Sequence, residues 1–460
     1  GGDGLSRPSS YDQYESNIRA TMNATVDPCV DFYEYACGGW INNNKDMDGS
    51  KSKVSRSFTA TADSNMKLLK DIVSSDEVDP SVQVMYGSCM DADAIECLGL
   101  NIPSLQLILQ DIDQAQKIED IMFISGRMHQ IGCPSFFKID IVVDKRDPRQ
   151  YITSISGSGL VMKNLNDYRD GKNCKLEPYR RYVSGVLGLL GESNPDQSAD
   201  RIIQIEKNIA AWQLRSRKTT RGKGADAGEM KRSIGQLIID TNGLDWRSFF
   251  DSAGISADMI LVNQLDRIRN ITAVIQSTPI QDLRDALKLR LISSLSSLLP
   301  QAFAKSAFDF FGKTIAGKEE NKERWEVCVQ TTNELVGESI GKVFVQKVLS
   351  RTGRDLAKTI LKSLQDAFSD ILGELGWMDT NTRAKAQEKV KNIEQLVGYP
   401  DTWDTTTASV PITREQPFLE NVFILRQLRW KSKVKSLSEP VDRRKWTQPV
   451  DTVNAFYNPV

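Results

Sequence analysis

Gly376-Trp-Met-Asp-Thr-Asn-Thr-Arg-Ala-Lys-Ala-Gln-Glu-Lys-Val-Lys-Asn-Ile-Glu-Gln-Leu-Val-Gly-Tyr-Pro-Asp401 is the stretch on which the fold turns. Asp379 reads as the cap of a helix, Gly398 as its stop and Pro400 as its terminator. Just before it, Leu356, Ile360, Leu364, Phe368 and Leu372 recur at helical spacing, which predicts a helix over 355–375 with a core-facing stripe. The two together read as a structural helix-turn-helix. Outward from there, the same periodicity predicts helices over about 59–73, 177–190, 200–216, 280–299, 301–316, 321–349 and 419–436. One segment breaks the pattern. In 134–144, Phe137, Ile139, Ile141 and Val143 alternate with Lys138 and Asp140, which is a strand with one buried face. Asp147-Pro148 is expected to turn the chain and Tyr151–Ile155 to return it. The expected fold is mainly α with a small β-hairpin.

Composition bounds the function. The 460 residues carry 59 Lys+Arg against 60 Asp+Glu, so there is no electrostatic footprint for nucleic acid. The basic run Arg215, Arg217, Lys218, Arg221 and Lys223 lacks interleaved aromatics and reads as a solvated loop. No uninterrupted apolar run approaches the ~18 residues that cross a bilayer. The chain opens Gly-Gly-Asp without Met, which suggests a processed product or a fragment. It has one histidine, His129, in Arg127-Met-His-Gln-Ile131, read as a helix-end or surface residue. A His-Glu-x-x-His zinc helix needs two, so no metal-ligating set is expected within these residues. Seven cysteines and two sequons, at Asn23 and Asn270, favour a secreted or cell-surface glycoprotein.

In Asp27-Pro-Cys-Val-Asp-Phe-Tyr-Glu-Tyr-Ala-Cys-Gly-Gly-Trp40, Asp27 is expected to cap a helix, Pro28 to open it and Gly38-Gly39 to end it. Cys29 and Cys37 would then stand about 12 Å apart along one helix, too far to bridge each other. At the other end, Val453, Ala455, Phe456 and Tyr457 read as a short strand containing Asn454, with Pro459 ending it. An amide inside a strand needs a partner. Either an extended peptide lies along the strand, or Asn454 is solvated on an ordinary edge.

Four segments carry a family resemblance. Asp27–Trp40, the Tyr86-Gly-Ser-Cys-Met-Asp91 segment, Trp377–Asp401 and Val453-Asn-Ala-Phe-Tyr457 resemble, in that order, motifs of the neprilysin family of zinc metallopeptidases, which includes the endothelin-converting enzymes. The resemblance implies a two-lobed ectodomain, secreted or held by a single membrane span. Residues 1–54 would be an N-terminal arm and the start of the catalytic lobe, 55–410 mostly the helical cap lobe, and 411–460 a return to an incomplete catalytic lobe. It implies a Cys89–Cys328 disulfide, with partners for Cys29 and Cys37 beyond Val460, and leaves Cys97, Cys133 and Cys174 unassigned. Asn454 and Ala455 would bind the backbone of a short peptide. Arg56 would grip its terminal carboxylate, although Ser57-Phe-Thr-Ala-Thr61 departs from the family pattern. In the complete enzyme zinc would activate water beside a catalytic Glu. This chain is expected to bind no zinc, to hold no catalytic residue and to be inactive alone. The alternative is a truncated, non-enzymatic homologue that binds peptides or a partner.

Overall fold

The computed structural model describes residues 15–45, 49–51, 54–55, 57–169, 174–219, 228–403 and 410–458, the side chains of 215–219 excepted. The chain opens with helices α1 (Phe32–Asn43), α2 (Phe58–Val73), α3 (Pro80–Met90), α4 (Ala92–Leu98), α5 (Pro103–Gln114) and α6 (Ile118–Gln130). Strands β1 (Phe137–Asp144) and β2 (Asp147–Gly157) follow, then α7 (Leu176–Leu189) and α8 (Pro195–Thr219). Next come β3 (Glu229–Ser233), α9 (Ile234–Asp240), α10 (Trp246–Ser252) and β4 (Met259–Asn263). The remainder is helical: α11 (Leu265–Ser277), α12 (Ile280–Leu295), α13 (Gln301–Ala307) running into a π-helix (Phe308–Ile315), α14 (Arg324–Val348), α15 (Arg351–Glu374), α16 (Thr380–Lys391) and α17 (Phe418–Lys435). The protein is mainly α, and most of the expected helices stand within a few residues of their predicted bounds.

The hairpin belongs to something larger. Its turn is Lys145-Arg146, because Asp147 already pairs with Asp144 and Asp144 accepts from the Arg146 N–H at 3.0 Å. Pro148 therefore lies in β2 rather than in the turn. β4 then pairs parallel with β2, and β3 antiparallel with β4, giving a four-stranded sheet in the order β1-β2-β4-β3. Phe137 of β1 is buried against Trp246 of α10, ring centroids 4.6 Å apart.

Helix α1 corrects the expected boundaries. Asp31, not Asp27, caps it, accepting from the Glu34 N–H at 2.9 Å, and the helix runs through Gly38-Gly39 to Asn43. These glycines serve close approach rather than termination. A Cβ on Gly39 would lie 2.5 Å from the Met22 carbonyl oxygen, where the incoming chain crosses the helix. Helix α16 also ends early, at Lys391, with Asp379 as its cap; Gly398 forms a separate turn at φ +72.

A core runs through α2–α14 and α17. Its most polar point is Glu206 of α8, which accepts from Tyr168 Oη at 2.7 Å, Tyr179 Oη at 2.8 Å and Arg290 Nη2 at 2.7 Å. Burial pushes this carboxyl above its ordinary range, against the pull of Arg290 and the two phenols. Cys89 of α3 and Cys328 of α14 are fully buried and joined, with Cα atoms 5.5 Å apart. Residues Ala92–Gln114 are long and apolar enough to cross a bilayer, but Gly99 at φ +59 breaks them into α4 and α5. Leu105, Ile108 and Ile112 of α5 are buried in the core.

Candidate functional site

Helix α14 is irregular where it meets a cleft. Val336 leaves helical geometry at φ −133, ψ 32, which frees the turn around it. Arg429 of α17 donates to the Leu335 carbonyl at 3.2 Å and stands 3.6 Å from Glu338. One turn on, Gly341 leaves room for two packed groups. A Cβ there would lie 2.9 Å from Val450 and 3.0 Å from the Trp403 ring. On the near side of the kink, Asn333 donates to the Asp451 carboxylate at 2.9 Å, and Asn65 of α2 donates to the Asp451 carbonyl, also at 2.9 Å. The kinked helix thus anchors the last part of the chain.

The opposite wall is built from the start of α15 and the segment after α16. Arg354 donates to the carbonyls of Val397 at 3.0 Å and Tyr399 at 2.9 Å, and to the Asp401 carboxylate at 2.8 Å. Its guanidinium lies 4.1 Å from the Tyr399 ring centroid. That guanidinium holds the Asp401 carboxyl below its ordinary range. Arg444 reaches Glu394 at 2.9 Å, and the Val441 N–H donates to the Arg149 carbonyl at 3.0 Å, which ties the 436–450 segment to the hairpin.

Between these walls is a cleft of about 750 Å³ lined by Tyr151, Glu334, Glu338, Lys358, Trp403 and Trp446 among others. Aromatic rings and side chains of both charges at its surface suit a flexible polar chain such as a peptide. The cleft has no imidazole, because His129 is the only histidine and is elsewhere.

His129 ends α6 and is buried, not at the surface. Its Nδ1 donates to the Ser125 carbonyl at 2.9 Å, and its Nε2 accepts from the Ile139 N–H at 3.1 Å. Burial lowers its pKa to about 4, against the opposing pull of the Ser125 and Phe137 backbone bonds. Both ring nitrogens are committed, so the residue cannot ligate a metal without breaking the α6–β1 junction. Among the described residues no cluster of three His, Cys, Asp or Glu side chains is placed to hold a metal. His129 therefore offers no free ring nitrogen to a metal ion.

The remaining predicted residues fall as follows. Residues 453–457 form no strand, and among the described residues no strand edge lies beside them to pair their backbone groups. Asn454 and Ala455 are exposed, and the Asn454 amide oxygen accepts from the Ala455 N–H at 2.8 Å. Arg56 lies outside the described residues, as do Arg221, Lys223 and the side chains of Arg215, Arg217 and Lys218. Cys29 precedes α1 rather than lying on it; Cys29, Cys37, Cys97, Cys133 and Cys174 are free thiols. Asn23 sits in a turn, where its Oδ1 accepts from Thr25 Oγ1 at 2.6 Å. Asn270 instead lies inside α11, and its sequon partner Thr272 is 1% exposed. The cleft residues come from stretches far apart in the chain, and nothing local in the sequence brings them together.

Residues 28–400 match the sequence profile described as Peptidase family M13. The chain is 27% identical to an endothelin-converting enzyme homolog of Locusta migratoria, over 96% of its own length and 65% of the relative's. It is 26% identical to neprilysin-3 of Drosophila melanogaster, over 96% of this chain and 60% of that one. Among solved structures, it resembles the inhibitor-bound zinc metalloprotease Zmp1 of Mycobacterium tuberculosis, with TM-score 0.84 and 25% identity, covering 96% of this chain and 67% of that chain. It shares its fold with PepO of Lactobacillus rhamnosis, with TM-score 0.76 at 15% identity over 91% of this chain and 67% of that one. The chain thus spans 60–65% of these two curated relatives. A helical body, a small sheet and ordered motifs from Asp27 to Asp401, matched along most of their length, place this chain in peptidase family M13.

Proposed function

We propose that this chain is the part of a neprilysin-like zinc metalloendopeptidase that cages and holds short extracellular peptides. The zinc-bearing groups would be supplied by a segment other than these 460 residues. The observation that carries the reading is the family match over residues 28–400 in a chain whose single histidine is buried with both ring nitrogens engaged. In this reading 55–410 is mostly cap, and 1–54 and 411–460 belong to the catalytic lobe. The cleft beside α14 receives the peptide. Asn454 and Ala455 line up its backbone as an added strand once the exposed 453–457 segment gains a neighbour. Arg56 takes its terminal carboxylate.

The test is made on the natural protein, purified without reductant and deglycosylated, by intact mass, zinc content and peptide hydrolysis. The expected result is a mass above 51.5 kDa and about one zinc per molecule, with chelator-sensitive endopeptidase activity. A mass of 51.5 kDa, no zinc and retained peptide binding would overturn it in favour of a non-enzymatic peptide binder.

A further inference from the structure

One wall of the cleft is shaped by a single side chain. Leu396, Tyr399, Pro400, Asp401, Thr402 and Trp403 line that wall, in a stretch that is neither helix nor strand. Its bend is made at Gly398, at φ +72, where the Tyr399 N–H donates to the Val397 carbonyl at 2.8 Å and closes a three-residue turn. A turn of this kind costs backbone strain and has no ladder of neighbours to hold it. Arg354, in the first turn of α15, holds it instead. Its guanidinium bonds the Val397 and Tyr399 carbonyls and the Asp401 carboxylate at once, and lies over the Tyr399 ring. The Arg354 side chain is 13% exposed, so these charge-assisted bonds are largely shielded from water. The helix that carries it cannot stiffen the wall by packing, because Leu372 is its one buried residue.

We infer that Arg354 is a positioning residue for peptide binding, which fixes the wall 396–403 in the shape that accepts the peptide without touching the peptide itself. The inference rests on the reading of this cleft as the peptide site. A wall ordered in advance does not have to be ordered by the ligand, and that avoided cost appears as affinity. The role is positional because Nε serves Val397 while Nη2 serves both Tyr399 and Asp401. Neither paired edge of the guanidinium is then left for a peptide carboxylate. The role also needs an arginine, since a lysine ammonium is a point donor and cannot span three acceptors in fixed directions.

Fluorescence polarisation on the 460-residue chain tests this, with the tightest-binding member of a random short-peptide library, labelled with fluorescein, as the probe. Arg354→Ala should raise Kd about ten-fold, leave the urea midpoint unchanged and speed hydrogen exchange at the Tyr399 N–H. Arg354→Lys should recover little of that affinity. Methylguanidinium added to Arg354→Ala should recover most of it, and no recovery contradicts the inference. Undiminished binding by Arg354→Ala overturns it and leaves the peptide site standing. Weaker binding with Tyr399 exchange unchanged also overturns it, because the guanidinium then acts on the peptide directly. An unaltered chain that binds no library member overturns both the inference and the peptide site. If Arg354→Ala does not fold, Gly398→Ala decides. The nearest atom to a Cβ there is Arg354 Cγ at 3.8 Å, so the substitution strains the turn without a clash. It should weaken peptide binding, and an unchanged Kd contradicts the inference.

Discussion

Helices α14 and α15 are nearly equal in length, 25 and 24 residues, and they differ in almost everything else. α14 buries Cys328, Val329, Leu335, Val336, Ile340, Val343 and Phe344, although its apolar residues are scattered around the helix and it kinks at Val336. α15 has the more regular one-sided stripe and buries only Leu372. Amphipathic periodicity predicts a helix with a face that needs covering. It does not say that the cover lies within the same stretch of chain. Of the two, the helix with the cleaner pattern is the less integrated.

The sharpest way to test the integrated side of this comparison is to cut α14 loose from α3. Replacing both Cys89 and Cys328 with Ala opens a loop of 239 residues, and the loop-entropy relation puts the loss at roughly 5 kcal/mol, read by urea denaturation. Next is Glu206→Ala, which leaves Arg290 buried and unpaired at 8% exposure, and should cost about 4 kcal/mol in the same assay. The third effect depends on pH. The His129 pKa is lowered to about 4 in the folded chain and returns to 6.5 on unfolding. The unfolded state binds the extra proton between these values, so stability is full above pH 6.5 and falls as pH drops towards 4. The loss is about 3 kcal/mol. His129→Gln, which keeps an acceptor for the Ile139 N–H, should flatten that slope; an unchanged slope would mean the imidazole is not the group titrating. The smallest effect is expected on α15. Leu364→Ala should change stability by less than ~0.5 kcal/mol, where Ile340→Ala on α14 costs about 3 kcal/mol. Equal losses at the two positions would erase the contrast between the helices.

Most of the helical body was legible because 3.6-residue periodicity is local, and so was the alternation in β1. What escaped depends on contacts far apart in sequence. β3 and β4 have only five residues each, and they are strands because β2, about a hundred residues earlier, offers an edge to Met259–Asn263. Gly38-Gly39 looked like a helix stop because nothing nearby in sequence reveals that Ala20–Met22 crosses over them. Asp27, which precedes Pro28, reads as the cap, whereas Asp31 caps α1. At the candidate site, Asn454 and Ala455 were singled out by resemblance, while the strand expected around them is not formed. The cleft was not legible at all. Its walls meet only after α14 kinks, Arg354 folds the 397–401 segment back, and Val441 pairs with Arg149.

The proposal at the centre of this account is that groups outside these 460 residues supply the zinc chemistry. Equilibrium dialysis of the 460-residue chain against zinc, with cleavage of short fluorogenic peptides followed in parallel, tests it most directly. The prediction is zinc uptake well below one ion per chain and no chelator-sensitive hydrolysis, with peptide binding at the cleft retained. About one tightly held zinc per chain, together with hydrolysis abolished by a chelator, would contradict it.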